Sequence, residues 1–430
     1  MILLLRGGRV IDPSQHIDEI MDILLVDGRI AAMGRDIDKP LKSNSAATVI
    51  DATSKIVVPG LVDIHVHLRE PGFEYKETIA SGSEAAAAGG FTSIACMPNS
   101  KPVNDNRSVT EYILNRAVQC GLVRVYPIAA VSKGSDGSVL AEYGDLRNAG
   151  AVAFSDDGRA VTNSALMLGA VEYAASWGLL VISHCEDTSL SGGTVINEGL
   201  ASAETGLGGG PSIAEDIMVA RDILIAEYTG QAVHIAHVST AGSVRLIREA
   251  KSRGVRVTAE TAPHYFTLTD DAVRGFDSNA RVNPPLRSPG DVAAIKEGLC
   301  DGTIDAIATD HAPHGITDKE VEFEEAASGI SGLETALGLS LRLVTDGTLT
   351  LSQLIDCMTR KPAEILKLPG GTLRVGAAAD LTIIDLDYPW TVDPAKFRSK
   401  GRNTPFSGWD LRGKTIMTIV GGEVKWAENS

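Results

Sequence analysis

Apolar and polar positions follow two alternating patterns from about residue 58 to residue 310 of the chain. Short apolar runs of the kind that form buried strands are each followed by an amphipathic stretch with helical spacing. The runs cover residues 61–67, 91–97, 123–130, 151–156, 179–184, 232–238, 256–261 and 304–310, and the amphipathic stretches include residues 76–88, 108–120, 165–176, 214–228 and 243–253. Strands that alternate with helices predict βαβ units and a parallel sheet.

Eight such units within roughly 300 residues are typical of a closed (β/α)8 TIM barrel with enlarged loops, an α/β fold. The competing architecture is a doubly wound open sheet. That fold usually carries a Gly-x-Gly-x-x-Gly motif after an early strand, and the sequence has none there. The pattern therefore favours the barrel.

The two ends of the chain have β-type runs that are interrupted by turn residues. Asp27-Gly28 and Gly421-Gly422 each lie between apolar runs, which is typical of a hairpin, and Gly7-Gly8 predicts a further turn after the first strand. We expect both ends to form one small flanking β-sandwich. The predicted domains are a discontinuous sandwich of residues 1–57 and 369–430, and a barrel of residues 58–368.

Composition limits the class of partner. The chain has 430 residues, of which 44% are hydrophobic and 22% charged, as in an ordinary globular protein. A formal net charge of −16 disfavours nucleic acid or an anionic membrane as the main partner. The apolar start, Met1–Leu5, is too short for a signal peptide or a membrane span. Five cysteines without a Cys-x-x-Cys pair indicate reduced thiols and a cytoplasmic protein.

Candidate metal ligands lie at the end of the first barrel strand. In Asp63-Ile-His65-Val-His67-Leu-Arg69, alternate residues of a strand face the same side, so both histidines share a face with Asp63. Arg69 shares that face if the strand extends so far. Two imidazoles one strand step apart can bind a single metal ion, and an arginine beside them offers a planar fork to a carboxylate.

Other strands also end in metal-binding side chains. Strand four runs into Asp156-Asp157, strand five ends at His184, strand six carries His237, and strand eight ends at Asp310. The C-terminal ends of barrel strands form the active-site mouth of this fold. Histidines and aspartates that converge there predict a site for zinc or a similar ion.

Taken together, these motifs resemble the amidohydrolase superfamily and, more narrowly, its bacterial class I dihydroorotases. The motifs are Asp63-x-His65-x-His67-x-Arg69-x-Pro71-Gly72, His184, His237 and Ala308-Thr-Asp310-His-Ala-Pro-His314. Residues 376–385 are similar to the segment in which the chain of superfamily members leads from the barrel back into the β-sandwich. The resemblance spans nearly the whole chain. It implies a dihydroorotase: reversible, zinc-dependent hydrolysis of the cyclic amide dihydroorotate to N-carbamoyl-L-aspartate, in de novo pyrimidine biosynthesis.

The resemblance also implies how the ligands are shared. His65, His67 and Asp310 would hold a first metal and His184 and His237 a second, with Asp157 between them; one or two zinc ions per chain are expected, and two are favoured. Spacing does not separate Asp157 from its neighbour Asp156, and only the resemblance selects Asp157. Hydantoinases and allantoinases bridge their metals with a carboxylated strand-four lysine, which residues 151–161 lack.

The remaining roles follow from the same resemblance. Asp310 would take a proton from the attacking water and deliver it to the departing ring nitrogen. Residues 315–329 would form a mobile cover over the substrate. The expected substrate contacts are Arg69, Asn99 and His314 to the carboxylate, Asn283 to the ring, and Ser328 and Gly329 from the cover.

Alternatives remain for single residues and for the function. His234 has opposite strand parity to His237, so we expect it to face the helices and to be structural; His264 could be structural or support a ligand. The rival functions are a hydantoinase or allantoinase, and a non-catalytic dihydroorotase-like partner of aspartate transcarbamoylase. Relatives lead us to expect a homodimer, and association with aspartate transcarbamoylase is a further expectation.

Overall fold

The structure is a computed structural model that describes residues 1–35, 37 and 47–428. The strands in chain order are β1 (Ile2–Asp12), β2 (Ile17–Val26), β3 (Arg29–Gly34), β4 (Ala47–Asp51), β5 (Ile56–Pro59), β6 (Leu61–Val66), β7 (Phe91–Cys96), β8 (Arg124–Ala129), β9 (Ala153–Phe154), β10 (Val181–Ser183), β11 (Ile196–Asn197), β12 (Gly209–Gly210), β13 (Val233–Ile235), β14 (Val257–Thr261), β15 (Ala306–Ile307), β16 (Leu381–Thr391), β17 (Asp410–Val420) and β18 (Glu423–Ala427). The helices are α1 (Ile79–Gly89), α2 (Arg107–Cys120), α3 (Tyr143–Ala149), α4 (Ser164–Ser176), α5 (Thr188–Ser191), α6 (Leu200–Thr205), α7 (Ile213–Thr229), α8 (Ala241–Ser252), α9 (Pro263–Thr267), α10 (Pro289–Asp301), α11 (Ile316–Lys319), α12 (Ala336–Thr345), α13 (Leu351–Met358) and α14 (Arg360–Ile365).

Eight parallel strands form the barrel, in the order β6-β7-β8-β9-β10-β13-β14-β15. A parallel bridge between Val66 and His311 joins the first strand to the segment after the last and closes the ring. The predicted fold class is confirmed, and each predicted barrel run contains one of these strands. Several strands are short, and β9 and β15 have only two residues each.

Small and branched apolar side chains fill the middle of the barrel. Ala95, Ile128, Ala153, Ile182 and Ala306, each from a different strand, belong to one buried cluster. Alternate residues on the same strands, such as Ile94, Phe154 and Ile307, belong to the layer beneath the surrounding helices. The apolar interior supports the strand ends, where the candidate ligands lie.

Both chain ends contribute to one eight-stranded sheet, with the order β18-β17-β16-β5-β1-β2-β3 and β4 beside β1. One apolar cluster gathers side chains from strands far apart in this order, such as Ile23 of β2 and Ile419 of β17. The predicted turn at Gly7-Gly8 is wrong. β1 continues through both glycines with a register shift against β2, because Gly7 adopts a φ of 70° without steric cost and absorbs a bulge.

The two predicted hairpins are confirmed. Asp27 and Gly28 have φ angles of 47° and 77° between β2 and β3, and Gly421 and Gly422 have 58° and 80° between β17 and β18. Two consecutive positive φ angles are the requirement of the tight turn that matches the twist of paired strands.

The sheet passes into the barrel at Gly60, which lies between β5 and β6. A Cβ at this position would collide with the side chain of Thr92, so only glycine fits. Arg124 of β8 also donates to both carboxylate oxygens of Asp380, at 2.7 and 3.1 Å, which ties the return of the chain to the barrel. Within residues 1–35, 37 and 47–428, no helix is both long and apolar enough to span a membrane.

Candidate metal centre and active site

Six buried side chains converge at the C-terminal mouth of the barrel. His65 lies in β6, and the other five follow the ends of their strands: His67, Asp157, His184, His237 and Asp310. Each of the six is less than a tenth exposed. The structure therefore brings together all six side chains that the resemblance assigns to metal binding.

The first group consists of His65, His67 and Asp310. Asp310 Oδ1 lies 3.0 Å from His67 Nε2 and 3.5 Å from His65 Nε2. Their ligand atoms all lie within 4.8 Å of one another, which is the spacing of donors that share one ion.

Asp157 lies between this group and the other two histidines. Its Oδ1 is 3.4 Å from His65 Nε2, 3.6 Å from His184 Nδ1 and 3.4 Å from His237 Nε2. Its Oδ2 is 3.5 Å from His67 Nε2. One carboxylate that faces both pairs of histidines has the geometry needed to bridge two ions.

The neighbouring Asp156 points elsewhere. Its carboxylate accepts from the Ser132 backbone N–H at 3.2 Å and from Ser132 Oγ at 2.5 Å. These bonds hold the turn after β9 and keep the Asp156 oxygens engaged. The geometry supports Asp157, rather than Asp156, as the residue between the two groups of candidate ligands.

Hydrogen bonds on the far side of three imidazoles fix which nitrogen faces the centre. His65 Nδ1 lies 2.6 Å from Glu260 Oε1, His67 Nδ1 lies 3.0 Å from Asn99 Oδ1, and His184 Nε2 lies 3.0 Å from Glu186 Oε2. Each of these oxygens accepts, so the outer ring nitrogen donates. The inner nitrogen then presents a lone pair, as a metal ligand must.

The site fits a bound metal by a second criterion. His65 Nε2 and Asp157 Oδ1 are buried and have no hydrogen-bond partner within the part of the chain that the structure describes. Buried polar atoms without partners are rare and need an explanation such as an ion. A set of imidazole nitrogens and carboxylate oxygens suits zinc or a similar divalent ion.

Glu260 of β14 is a functional candidate that the sequence analysis missed. Besides its contact with His65, its Oε2 lies 3.2 Å from His234 Nε2, and His234 Nδ1 lies 2.8 Å from Thr258 Oγ1. A signal was present, since Glu260 is an acidic residue inside a run predicted to be a buried strand. Burial opposes its charge, but the adjacent imidazoles of His65 and His234 lower the pKa of Glu260 to about 2.

The prediction that His234 faces the helices is wrong. Its ring lies inside the barrel against Glu260 and is fully buried. The parity argument assumed one straight strand from residue 234 to residue 237. β13 ends at Ile235, however, and His237 has a φ of 33°, so alternation stops between the two histidines.

Three of the nine non-glycine residues with a positive φ in the described part of the chain lie at this site. Arg69, His237 and Asp310 have φ angles of 62°, 33° and 47°, in the left-handed region that non-glycine residues rarely occupy. Such conformations concentrate at functional sites, where surrounding structure enforces them. Arg69 lies beyond the end of β6 at Val66 and has a positive φ, so strand alternation does not set the direction of its side chain.

A cluster of nitrogen-bearing side chains lies beside the metal ligands. Arg69 Nε donates to the Pro313 carbonyl at 3.3 Å, and burial lowers the pKa of Arg69 to about 10, so it stays cationic near neutral pH. His314 Nε2 donates to the Ser328 carbonyl at 2.9 Å, and His314 Nδ1 accepts from Lys76 Nζ at 3.1 Å. Lys76 is a second cation here that the motifs did not reveal.

Burial and the neighbouring cations Arg69 and Lys76 lower the pKa of His314 to about 2. The ring is therefore neutral, in agreement with one nitrogen that donates and one that accepts. Arg69 Nη2 lies 3.4 Å from His314 Nε2. Because that nitrogen already donates to Ser328, it does not accept from Arg69, and the guanidinium Nη groups remain available to other acceptors.

The predicted substrate residues Asn99 and Asn283 both touch metal-ligand histidines or their partners. Asn99 accepts from His67, and Asn283 Nδ2 donates to Glu186 Oε2 at 3.1 Å. A cavity of about 180 Å³ lies beside Asn283, and its lining includes Glu186, Asn283, Ser328, Glu215 and Arg287. Gly329, the other predicted contact, follows Ser328 and donates to the Arg281 carbonyl at 2.9 Å.

The predicted cover, residues 315–329, contains the short helix α11 and is anchored by Lys319. Lys319 Nζ donates to the carbonyls of Ala327 at 2.7 Å and Gly329 at 3.2 Å. The lysine is buried, and its bonds join the end of the cover to a residue near its beginning. The arrangement places Ser328 next to His314 at the mouth of the barrel.

Comparison with known proteins points to one chemistry. A family model described as dihydro-orotase-like matches residues 54–243, and an amidohydrolase family model matches residues 218–425. A dihydroorotase of Syntrophus aciditrophicus is 62% identical over 429 residues, with 100% of both chains covered. A dihydroorotase of Geobacter metallireducens is 58% identical over 424 residues, with 99% of each chain covered.

Solved structures of the same architecture include an L-hydantoinase (dihydropyrimidinase) from Arthrobacter aurescens. It superimposes with a TM-score of 0.86 at 29% identity, over 98% of this chain and 95% of that chain. The similarity therefore extends over both the barrel and the terminal sheet.

Proposed function

The chain belongs to the dihydroorotase family of amidohydrolases, metal-dependent hydrolases that act on cyclic amides, and from this membership we propose the reaction and the roles of its residues. The reaction is reversible hydrolysis of (S)-dihydroorotate to N-carbamoyl-L-aspartate, a step of pyrimidine biosynthesis in the cytoplasm. The enzyme is of the bacterial class I type. The observation that carries the proposal is the position of Asp157 between two pairs of inward-facing imidazoles.

Two zinc ions are the proposed occupants, one held by His65, His67 and Asp310 and the other by His184 and His237, with Asp157 between them. Bound zinc supplies a water of lowered pKa and polarises the amide carbonyl of the ring. The protein contributes the orientation: Glu260, Asn99 and Glu186 hold the outer nitrogens of three ligand histidines, so the rings cannot turn away.

Asp310 is the proposed general base and acid. Burial opposes its charge, but the neighbouring imidazoles of His65 and His67 lower the pKa of Asp310, so the carboxylate is ionised. It takes the proton from the attacking water and returns it to the ring nitrogen as the carbon–nitrogen bond breaks. In the reverse direction the same group takes a proton from the attacking carbamoyl nitrogen and gives it to the departing hydroxyl, which leaves as water. Closure consumes one proton overall, so acidic conditions favour it.

Arg69, Asn99 and His314 are the proposed contacts of the substrate carboxylate, and Lys76 adds a second cation beside them. The planar guanidinium of Arg69 can donate two parallel hydrogen bonds to a carboxylate. Asn283 and the backbone of Ser328 and Gly329 are the proposed contacts of the substrate ring, on the side where the cavity lies. A carboxylate-binding cluster at this position favours dihydroorotate over dihydropyrimidines, which have no carboxylate.

Two observations bear on the rival functions. The position between the two histidine pairs is held by Asp157, and a lysine carbamate, the bridge of the hydantoinase and allantoinase type, would need a lysine there. All six candidate ligands converge within one buried site, which disfavours a catalytically inactive partner protein.

Turnover of L-dihydroorotate and of N-carbamoyl-L-aspartate, with metal analysis of the same preparation, tests the proposal. We expect activity in both directions and two zinc ions per chain. Faster turnover of dihydropyrimidines without a carboxylate would instead establish the hydantoinase reaction. Bound metal without turnover of any cyclic amide would overturn the proposed function.

A further inference from the structure

The backbone at His237 has an unfavourable conformation. Its φ of 33° lies in the left-handed region, where a non-glycine residue persists only if the surrounding structure enforces it. The strand β13 ends at Ile235, so the regular ladder does not include His237. Contacts on either side of His237 must therefore maintain this conformation.

The ring of His237 also lacks a support that the other candidate ligand histidines have. His65, His67 and His184 each donate from the outer ring nitrogen to a side-chain oxygen. Within the described part of the chain, His237 Nε2 lies 3.4 Å from Asp157 and 2.8 Å from His184, and no residue hydrogen-bonds to His237 Nδ1. The direction of this imidazole therefore depends on its backbone.

Neighbouring strands hold the residues directly before and after His237. The backbone N–H of Ala236 donates to the Ser183 carbonyl at 3.1 Å. The backbone N–H of Val238 donates to the Glu260 carbonyl at 2.8 Å. The chain beyond Val238 has left the barrel wall and needs a different partner.

One carboxylate, that of Glu215 in α7, binds the next two residues. Glu215 Oε1 accepts from the backbone N–H of Ser239 at 3.0 Å and from that of Thr240 at 3.3 Å. Glu215 Oε2 accepts from the Ser239 hydroxyl. All three residues are at most 3% exposed, so water does not compete for these bonds. Glu215 therefore fixes the chain two residues beyond His237.

Arg287 binds the same group from the segment after β14. Its Nε donates to Ser239 Oγ at 3.0 Å, its Nη1 donates to Asn197 Oδ1 at 2.9 Å, and its Nη2 lies 3.5 Å from Glu215 Oε2. Arg287 is only 5% exposed. A buried ion pair adds little stability, because the cost of removing two charges from water offsets their attraction. Its presence here is better explained by the geometry that it imposes on Ser239.

Arg287 also lies close in sequence to Asn283, the proposed contact of the substrate ring. Both residues and Glu215 line the cavity of about 180 Å³. Tyr265 Oη donates to the Pro284 carbonyl at 2.7 Å and so fixes the segment between Asn283 and Arg287. One guanidinium thus joins the loop of a candidate metal ligand to the segment of a candidate substrate contact.

We propose that Glu215 and Arg287 are positioning residues for His237. By fixing residues 239 and 240 they maintain the backbone of His237, and so they direct its Nε2 toward Asp157. The inference rests on the proposed function, since it concerns the second metal of that site, and it adds two residues that act on the metal only through His237.

Replacement of the whole ion pair separates positioning from folding. The double variant Glu215→Leu, Arg287→Met exchanges two buried charges for apolar side chains, a change that often leaves stability unaltered. Neither new side chain can accept from the backbone N–H groups of Ser239 and Thr240. We expect a folded protein whose affinity for zinc at His184 and His237 is about 10- to 100-fold lower, the usual effect of losing support for a metal ligand. The affinity of the first zinc should stay near that of wild type.

Competition with a chelator measures both zinc affinities, and circular dichroism with urea unfolding checks the fold. A second measurement uses Co²⁺ in place of zinc, because its visible absorption reports the geometry of the ligands. We expect the absorption of the second Co²⁺ to change in the double variant and that of the first to remain. A merely structural role for the ion pair would affect both ions alike.

Asp216, the next residue of α7, provides the control. Its carboxylate accepts from two hydroxyl groups, Thr240 Oγ1 at 2.5 Å and Ser243 Oγ at 3.1 Å. Asp216→Asn therefore removes a charge from the same helical turn while Glu215 still binds Ser239. Both zinc affinities of this variant should stay near those of wild type.

If the double variant does not fold, Glu215→Gln replaces it, because glutamine keeps the shape and loses the charge; the second zinc should again be weakened, by a smaller factor. In a folded variant, unchanged affinities or an equal loss of both would overturn the inference. A wild-type protein that binds only the first zinc would overturn it too, while turnover of dihydroorotate by that protein would leave the proposed reaction in place.

Discussion

Glu260 Oε1 lies 2.6 Å from His65 Nδ1, on the side of the ring that faces away from the candidate metal centre. The carboxylate accepts the ring proton and so keeps the lone pair of His65 Nε2 directed at Asp157 and Asp310. His234 Nε2 in turn lies 3.2 Å from the other carboxylate oxygen. A contact inside the barrel thus positions the candidate metal ligand His65.

Glu260→Gln should weaken metal binding about 10- to 100-fold, the usual effect of removing such a partner. The substitution keeps the shape of the side chain but removes the charge that supports the His65 proton. Metal affinity is measured by competition with a chelator, so the result does not rest on activity. Thr258→Val is the control: it removes the hydroxyl at 2.8 Å from His234, two contacts from His65, and should change the affinity much less. Equal affinities for Glu260→Gln and wild type would remove Glu260 from this role.

Asp157→Asn and Asp156→Asn form a matched pair on adjacent residues. An amide at residue 157 is a poor bridge, so we expect loss of the second metal and of most activity. At residue 156 the carboxylate contacts Ser132, so we expect the full metal content and at most a lower melting temperature. Elemental analysis of the metal content of both variants shows which of the two aspartates holds the metal. Metal loss in Asp156→Asn alone would reverse the assignment.

Asp310→Asn should lower kcat about 10²- to 10⁴-fold, because an amide cannot take up the proton of the attacking water. The amide oxygen can still face His67 and His65, so the first metal and the fold should be retained. Steady-state kinetics in both directions, with metal analysis, measures this. A kcat near that of wild type with a full metal content would exclude Asp310 as the base.

Features that depend on a local sequence pattern could be predicted, and side-chain directions beyond the ends of regular strands could not. The eight barrel strands and the candidate ligands at their ends could be found because apolar runs and strand-end side chains are local features. The orientation of His234 relative to His237 could not be predicted, because the strand ends at Ile235 and His237 has a positive φ. The direction of Arg69 could not be predicted either, because its strand ends at Val66 and Arg69 has a positive φ. Glu260 escaped notice because its partner His65 is far away in sequence.

Lys76 illustrates a second limit. It lies in a loop without a motif, and only the fold brings its Nζ within 3.1 Å of His314. Asp156 and Asp157 illustrate the opposite case: the sequence found the right segment, but only the direction of each carboxylate tells the two apart.

Lys319→Met should loosen the cover and change how stability depends on pH. The lysine is only 4% exposed and donates to the carbonyls of Ala327 and Gly329, so a methionine of similar length fills the space without those bonds. We expect KM for dihydroorotate to rise while the metal content stays the same. An unchanged KM would mean that the anchor has no part in substrate binding.

The pH effect has a definite sign. Burial lowers the pKa of Lys319 from 10.5 to about 7 in the folded protein. Between these two values the unfolded chain holds a proton that the folded chain has released, so stability rises with pH in this window. Methionine does not titrate. The free energy of unfolding of wild type, minus that of Lys319→Met, should therefore increase from about pH 7 to about pH 9 and stay constant below about pH 7. Urea unfolding of both proteins across this range measures the difference, and a difference that falls with rising pH would show that the buried group holds its proton more tightly in the folded state.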